Sequence, residues 1–386
     1  MNPLRILADS NMRGVEAYFA PLGSIQLAEG RQIKNSDLRN IDALLVRSVT
    51  TVNQSLLENT AVKFVGTATS GFDHIDRGYL TDHNIGFSHA PGANANSVVE
   101  YVFAAISAVE GKLESLLSGG TLGVIGYGNV GMTLVRLCNE LGISVKVHDP
   151  WLEETFVPSR ASLDEILRCE VITIHPSLTC EKPWPSYHLI GKAELESISR
   201  GALLINASRG EVVDNMSLLN RLCSGEGPLC VLDVWEGEPE ISIELLQWVE
   251  FGTAHIAGYS MNSKFLATKM LRDAIDTHFK LEELKGVSQA ANPQKTRLEV
   301  PPNLKSVDLL RWAFSVRYDI HKDDQLLRAI VLDPNTTVAD GFDRLRKSYR
   351  NRFELRDSIV DLHPQAAQDQ SDLLMSLGCR IGRVSV

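Results

Sequence analysis

The stretch VIGYGNVG, residues 124–131, constrains the fold of this chain more than any other. Its glycines stand at 126, 128 and 131; the run Leu122 to Ile125 before them is apolar, and NVGMTLVRLCNELG after them has a helical pattern. A strand, a tight turn and a helix in that order give each glycine a task. Gly126 permits the turn, Gly128 lets backbone approach a pyrophosphate, and Gly131 allows close helix–strand packing. The helix N-terminus offers unpaired N–H groups to the anion, which places Tyr127, Asn129 and Val130 beside it. The next strand, SVKVHD, ends on Asp149. A carboxylate about 20 residues beyond such a turn accepts hydrogen bonds from ribose hydroxyls and repels a 2′-phosphate. Pro150 and Trp151, which follow, offer no cation to offset that repulsion, so the cofactor expected is NAD rather than NADP.

Four further runs extend the same sheet: EVITIHP at 170–176, GALLINAS at 201–208, LCVLDV at 229–234 and FGTAHIAG at 251–258. Open parallel sheets bind their ligands at the ends of such strands, and three ends carry chemistry: Arg209, Glu238 and His255. Taken singly, these are an ordinary surface arginine, loop carboxylate and core histidine. Jointly placed in a dinucleotide domain, they meet the needs of hydride transfer from a secondary alcohol that bears a carboxylate. His255 takes the hydroxyl proton. Glu238 holds one imidazole nitrogen, fixing the tautomer and favouring the charged form. Arg209 clamps the substrate carboxylate with two parallel hydrogen bonds.

At 386 residues the chain exceeds one average core. The first 90 residues alternate apolar runs with amphipathic stretches, as an α/β domain does; NSVVEYVFAAISAVEGKLESLL from Asn96 reads as a long helix that leaves it. Near residue 286 the polar segment GVSQAANPQKTRLEVPPN, with Pro293, Pro301 and Pro302, opens a third region that mixes helical patterns with short apolar runs such as SIVDL. A net charge of −10 argues against a nucleic-acid binder. There is no run of about 18 apolar residues to cross a membrane, and no signal-peptide pattern. The six cysteines show no CxxC pair and no metal-ligand spacing, so no metal is expected and a cytoplasmic location fits.

The glycine turn with Asp149, together with INASRGEVVD, LDVWEGEP and HIAG, resembles the D-isomer-specific 2-hydroxyacid dehydrogenases over residues 1–285. That resemblance implies an α/β architecture in which a Rossmann-type NAD domain, 95–259, is inserted in a flavodoxin-like substrate domain formed by 1–94 and 260–285. The stretches LLVRSVTTVN, KFVGTATSGFDHID, HAPGANANSVVEYVF and FDRLRKSYRNR resemble one subgroup. Its members carry a small α+β C-terminal dimerisation domain, here 286–386, form homodimers and act on a phosphorylated 2-hydroxy acid. By the same resemblance Arg209 and Glu238 assist, His255 is the proton donor or acceptor, and Asp149, Pro176, Ala207, Ser208, Arg209, Asp233 and Gly258 belong to the NAD site. Ser48, Thr69 and Tyr259 become substrate contacts. Pro176 departs from the threonine of many relatives, and proline has no N–H to donate. The substrate phosphate needs a cation: Arg47, or one of Arg344, Arg346, Lys347, Arg350 and Arg352. A related dehydrogenase acting on another hydroxy acid, such as 3-phosphoglycerate, and an NAD-sensing binding protein on the same fold both remain open at this point.

Overall fold

Short apolar runs of the first 90 residues become parallel strands in the computed structural model, which describes residues 3–281, 296–302, 304–363 and 368–384. Strands β1 (Leu4–Asp9), β2 (Gly23–Ala28), β3 (Ala43–Val46), β4 (Phe64–Thr67) and β5 (Gly86–Ser88) form one sheet in the order β2-β1-β3-β4-β5. This is the flavodoxin-like order. Central β3 and β4 are buried throughout, which is why they read as unbroken apolar runs. β2 is a half-exposed edge strand with a weaker signal. The helix Met261–Phe279, capped by the Ser260 side chain, returns to this sheet and places Leu271 and Ile275 in a core with Leu45 and Phe64. One compact unit therefore comprises 3–94 and 260–281.

The second unit holds 95–259 and the described residues from 296 onward. Its six parallel strands are β6 (Thr121–Ile125), β7 (Ser144–His148), β8 (Val171–Ile174), β9 (Leu203–Asn206), β10 (Leu229–Leu232) and β11 (Phe251–Gly252), ordered β11-β10-β9-β8-β6-β7. The order reverses between β6 and β8. That switch point opens a crevice at the strand ends, and the glycine turn follows β6 there. The long helix read from Asn96 to Leu117 forms only over Ala95–Ala108, where sheet and C-terminal helices bury nearly every face; Gly111, at φ +76°, breaks it before a short second helix, Lys112–Leu117.

The C-terminal part of this unit carries a second, three-stranded sheet, all parallel: β12 (Thr296–Glu299), β13 (Ser358–Leu362) and β14 (Arg380–Val384). Among the helical patterns of this region, LKSVDLLRWAFSVRYDI forms a helix over Ser306–Arg317 that ends at Tyr318. The Asp319 side chain accepts the Lys322 N–H and starts a second helix, Ile320–Val331. The first of these helices docks on the Ala95–Ala108 helix and the second on β11 of the six-stranded sheet. Phe314 stacks on Phe103, with centroids 5.0 Å apart. Asp324 accepts the N–H of Gly252 at 2.8 Å, so a helix covers the β11 edge. The interdomain boundary read near residue 286 falls outside the described residues.

Within this packing Glu100 accepts the Leu355 N–H at 2.7 Å. Burial, then the neighbouring Glu354 charge, pushes its carboxyl up to about 8, although Arg352, the Leu355 N–H and Arg356 oppose the rise. Above an unfolded value of 4.5 the native state thus binds the extra proton, and stability falls as pH rises from there toward 8. Glu100→Gln keeps an acceptor without the charge. It is expected to flatten that decline in urea midpoints measured from pH 5 to 8; an unchanged slope contradicts the assignment.

Candidate active site

The glycine turn is built as its residues require. Gly126 has φ +91°, and a Cβ there would stand 2.6 Å from the Pro176 nitrogen. At Gly131 a Cβ would lie 2.1 Å from the Gly126 oxygen, whereas at Gly128 it would meet nothing within 4 Å. Gly128 therefore leaves an open cradle at the N-terminus of the helix Asn129–Glu140. A cavity of about 690 Å³ runs from this turn past Asp149, Trp151, Pro176 and Trp184. Asp149 accepts the N–H groups of Tyr127 (2.8 Å) and Trp151 (3.1 Å), which aims its carboxylate along the cavity wall. Turn, cradle, helix N-terminus and terminal carboxylate are the parts that NAD requires. Pro176 contributes packing against Gly126 and donates no hydrogen bond. Asp149→Ala is expected to raise the NADP over NAD ratio of kcat/KM by about tenfold or more, since it removes the charge that repels a 2′-phosphate. An unchanged ratio in steady-state assays contradicts that role.

The strand read over 251–258 ends early, at Gly252. The reason lies in Asp233, a carboxylate only 1 % exposed. Its Oδ1 accepts the Thr253 hydroxyl (2.6 Å) and the Ile256 N–H (2.8 Å), and its Oδ2 accepts the Ala257 N–H (2.9 Å). The His255 N–H bonds the Asp233 backbone oxygen at 2.7 Å. These bonds replace a strand ladder and fold 253–257 into a tight loop in which His255 has φ +53°, a conformation costing a non-glycine residue about 1–2 kcal/mol. In this structure Asp233 therefore positions the histidine loop. Tyr101 buttresses it through Thr253 at 2.8 Å, and the Trp235 indole N–H donates to the Thr253 oxygen at 2.9 Å.

His255 and Glu238 meet at this loop, Nδ1 to Oε2 at 2.7 Å. The other Glu238 oxygen accepts the Trp235 N–H at 2.9 Å. Burial pushes the Glu238 carboxyl up, but the charge and hydrogen bond of His255, the Arg346 charge and the Trp235 N–H outweigh it and hold the group below the usual range. An ionised carboxylate only accepts, so Nδ1 carries the hydrogen, and in the neutral imidazole Nε2 is left with its lone pair.

Arg209 follows β9 in a loop held by the Asn206 amide, which donates to the Arg209 backbone oxygen at 2.9 Å. Ser208 bonds back to the same Asn206, while Ala207 packs on the core. A Cβ on Gly210 would lie 2.0 Å from the Trp235 carbonyl carbon, so the Arg209 and Glu238 loops touch through a glycine. Gly258 lies in the turn that follows, and Tyr259 donates its N–H to Ile256.

Of the five basic residues read as one cluster, Arg346 and Arg352 reach this region, Arg352 only as a donor to the loop backbone. Arg346 donates to the Tyr259 hydroxyl at 3.2 Å. Arg350 pairs with Asp323, and buried Arg352 donates to the carbonyls of Ser97 and Ala257; Arg344 and Lys347 are exposed. In the first unit Ser48 and Thr69 lie at the ends of neighbouring strands β3 and β4. Arg47 is already paired with fully buried Asp9 at 3.1 Å. Sequence reasoning singled out neither Trp235 nor Thr253, Tyr101 and Asp324. Trp235 stands inside the LDVWEGEPE motif, but Tyr101 and Asp324 reach the loop from distant positions with no local signal.

Residues 103–257 match the family described as D-isomer specific 2-hydroxyacid dehydrogenase, NAD binding domain, and 292–378 match a domain of unknown function (DUF3410). Among curated proteins, the erythronate-4-phosphate dehydrogenase of Cellvibrio japonicus is 41% identical over 94% of this chain and 96% of its own length. That of Salmonella arizonae is 39% identical over 97% and 98%. Among solved structures, D-lactate dehydrogenase from Aquifex aeolicus complexed with NAD and lactic acid superposes with a TM-score of 0.60 at 24% identity, covering 72% of this chain and 95% of that one. The NAD-bound 3-phosphoglycerate dehydrogenase of Entamoeba histolytica gives 0.62 at 20% identity, over 73% and 97%. Fold and site together define an NAD-dependent dehydrogenase of 2-hydroxy acids. Within that class the chain belongs to the erythronate-4-phosphate dehydrogenase family of D-isomer-specific 2-hydroxyacid dehydrogenases.

Proposed function

We propose that the protein oxidises 4-phospho-D-erythronate at C2 to 2-oxo-3-hydroxy-4-phosphobutanoate with NAD, a step toward pyridoxal 5′-phosphate. The observation that carries the chemistry is the 2.7 Å His255–Glu238 pair in the unit that holds the NAD turn. His255 Nε2 takes the C2 hydroxyl proton, and Glu238 stabilises the imidazolium that results. NAD, when bound, accepts the C2 hydrogen with its electron pair, leaving a ketone. Arg209 clamps the carboxylate, which fixes C2 relative to His255. Ser48, Thr69, Tyr259 and Arg47 supply further substrate contacts, and Ala207, Ser208, Asp233 and Gly258 join the glycine turn, Asp149 and Pro176 in the cofactor site.

Among the described residues no helix is long and apolar enough to cross a membrane. The six cysteines are free thiols, which supports a reducing, cytoplasmic setting. The homodimer through the C-terminal region rests on the resemblance to the subgroup that carries this domain. The test of the activity is chemical. 4-Phospho-D-erythronate and NAD are incubated with the protein, and the product is identified by mass spectrometry after carbonyl trapping. The four-carbon 2-oxo phosphate is expected from the D-isomer alone; its absence contradicts the proposal.

A further inference from the structure

Arg346 is an unusual cation in this fold. It lies on the helix Val338–Lys347, and its guanidinium carbon stands 5.8 Å from the Tyr259 ring centroid and 6.0 Å from that of Phe342. Its terminal nitrogen donates to the Tyr259 hydroxyl, and its Nε is buried with no hydrogen-bond partner among the described residues. Of the other candidate cations, Arg350 is paired with Asp323, Arg352 donates to two carbonyls and Arg47 holds Asp9 through Nε, while Arg344 and Lys347 are exposed. A guanidinium whose Nε is buried without a partner is costly unless an anion completes its shell. Of the carboxylates whose charge bears on it, Glu238 is already bonded to His255, and Asp343 stands one turn back on its own helix. Arg346 thus places unsatisfied positive charge beside the acid–base pair, four residues along the loop from His255 at Tyr259.

We infer that Arg346 is the specificity-determining cation of the active site: it binds the phosphate monoester at the far end of the substrate, reaching it from the C-terminal segment of the same chain. The inference rests on the activity proposed above, since it assigns a reader to that substrate's phosphate. It also gives the C-terminal segment a part in substrate choice. A planar fork suits a phosphate better than a point charge does.

Phosphorylated and unphosphorylated erythronate share the same Glu238–His255 machinery, so any purely electrostatic effect of Arg346 on Glu238 cancels in their ratio. The experiment measures kcat/KM for 4-phospho-D-erythronate over that for D-erythronate in the wild type, Arg346→Met, Arg346→Lys and, as a control on the exposed face of the same helix, Arg344→Met. Melting temperature and NADH binding check folding. Arg346→Met is expected to lower the ratio about 10²-fold, Arg346→Lys about tenfold, and Arg344→Met not at all. The lysine variant keeps the buried charge and decides the matter should the methionine variant not fold. Inorganic phosphite is expected to accelerate D-erythronate oxidation by the wild type and not by Arg346→Met. Ratios unchanged in the Arg346 variants, with a phosphate preference intact in the wild type, overturn the inference alone. A wild type without phosphate preference overturns the proposed substrate as well.

Discussion

Replacing His255 by asparagine is expected to lower kcat by about 10³-fold or more while NADH binds as before. Asparagine is chosen because the position has φ +53°, and asparagine tolerates the left-handed region better than alanine does. The N–H that bonds the Asp233 oxygen is kept, so the loop survives while the base is lost. The cavity from Ile125 to Leu189 is lined by none of the loop residues 253–257, which is why the cofactor should still bind. Single-turnover absorbance reports the chemical step, and quenching of tryptophan fluorescence by NADH reports binding. Turnover within tenfold of wild type contradicts the role of His255.

Arg209→Lys is the second large expected effect. Lysine keeps the charge but presents a single ammonium, so the carboxylate loses one of two parallel hydrogen bonds and with it the orientation of C2. We expect kcat/KM to fall about 10²- to 10³-fold, with kcat falling as well as KM rising, because misorientation costs most in the transition state. The loop itself should persist: Asn206 holds the Arg209 backbone oxygen, and close packing of Gly210 on Trp235 is indifferent to the side chain at 209. A rise in KM with kcat untouched would make Arg209 a mere binding contact.

Much of this fold is legible because parallel strands buried on both faces leave continuous apolar runs that stop where ligands bind. β8, β9 and β10 read directly as VITI, LLIN and LCVL, and the polar residues after the last two led to Arg209 and Glu238. The loop after β11 was misread as strand for a physical reason. A buried loop stitched to one carboxylate needs the same small and apolar residues as a buried strand, and the Asp233 that replaces the ladder stands 20 residues from Thr253. Arg346 was indistinguishable from its basic neighbours in FDRLRKSYRNR. Only tertiary packing separates a guanidinium on Tyr259, 87 positions earlier, from those paired with Asp323, bonded to buried carbonyls or left in solvent. The C-terminal sheet was hidden similarly, since Thr296 pairs in register with Ser358 across three helices and their connections.

The measurement that tests the central claim most directly is single-turnover nicotinamide absorbance after mixing NAD-loaded protein with 4-phospho-D-erythronate, 3-phosphoglycerate or unphosphorylated D-erythronate. Single turnover keeps slow cofactor release from masking the hydride step. Fast reduction with the four-carbon phosphate, and reduction slower by about 10²-fold or more with the other two, is the result this site predicts. No reduction with any of the three would leave the NAD fold in place and contradict the assignment of Arg209, Glu238 and His255 to catalysis.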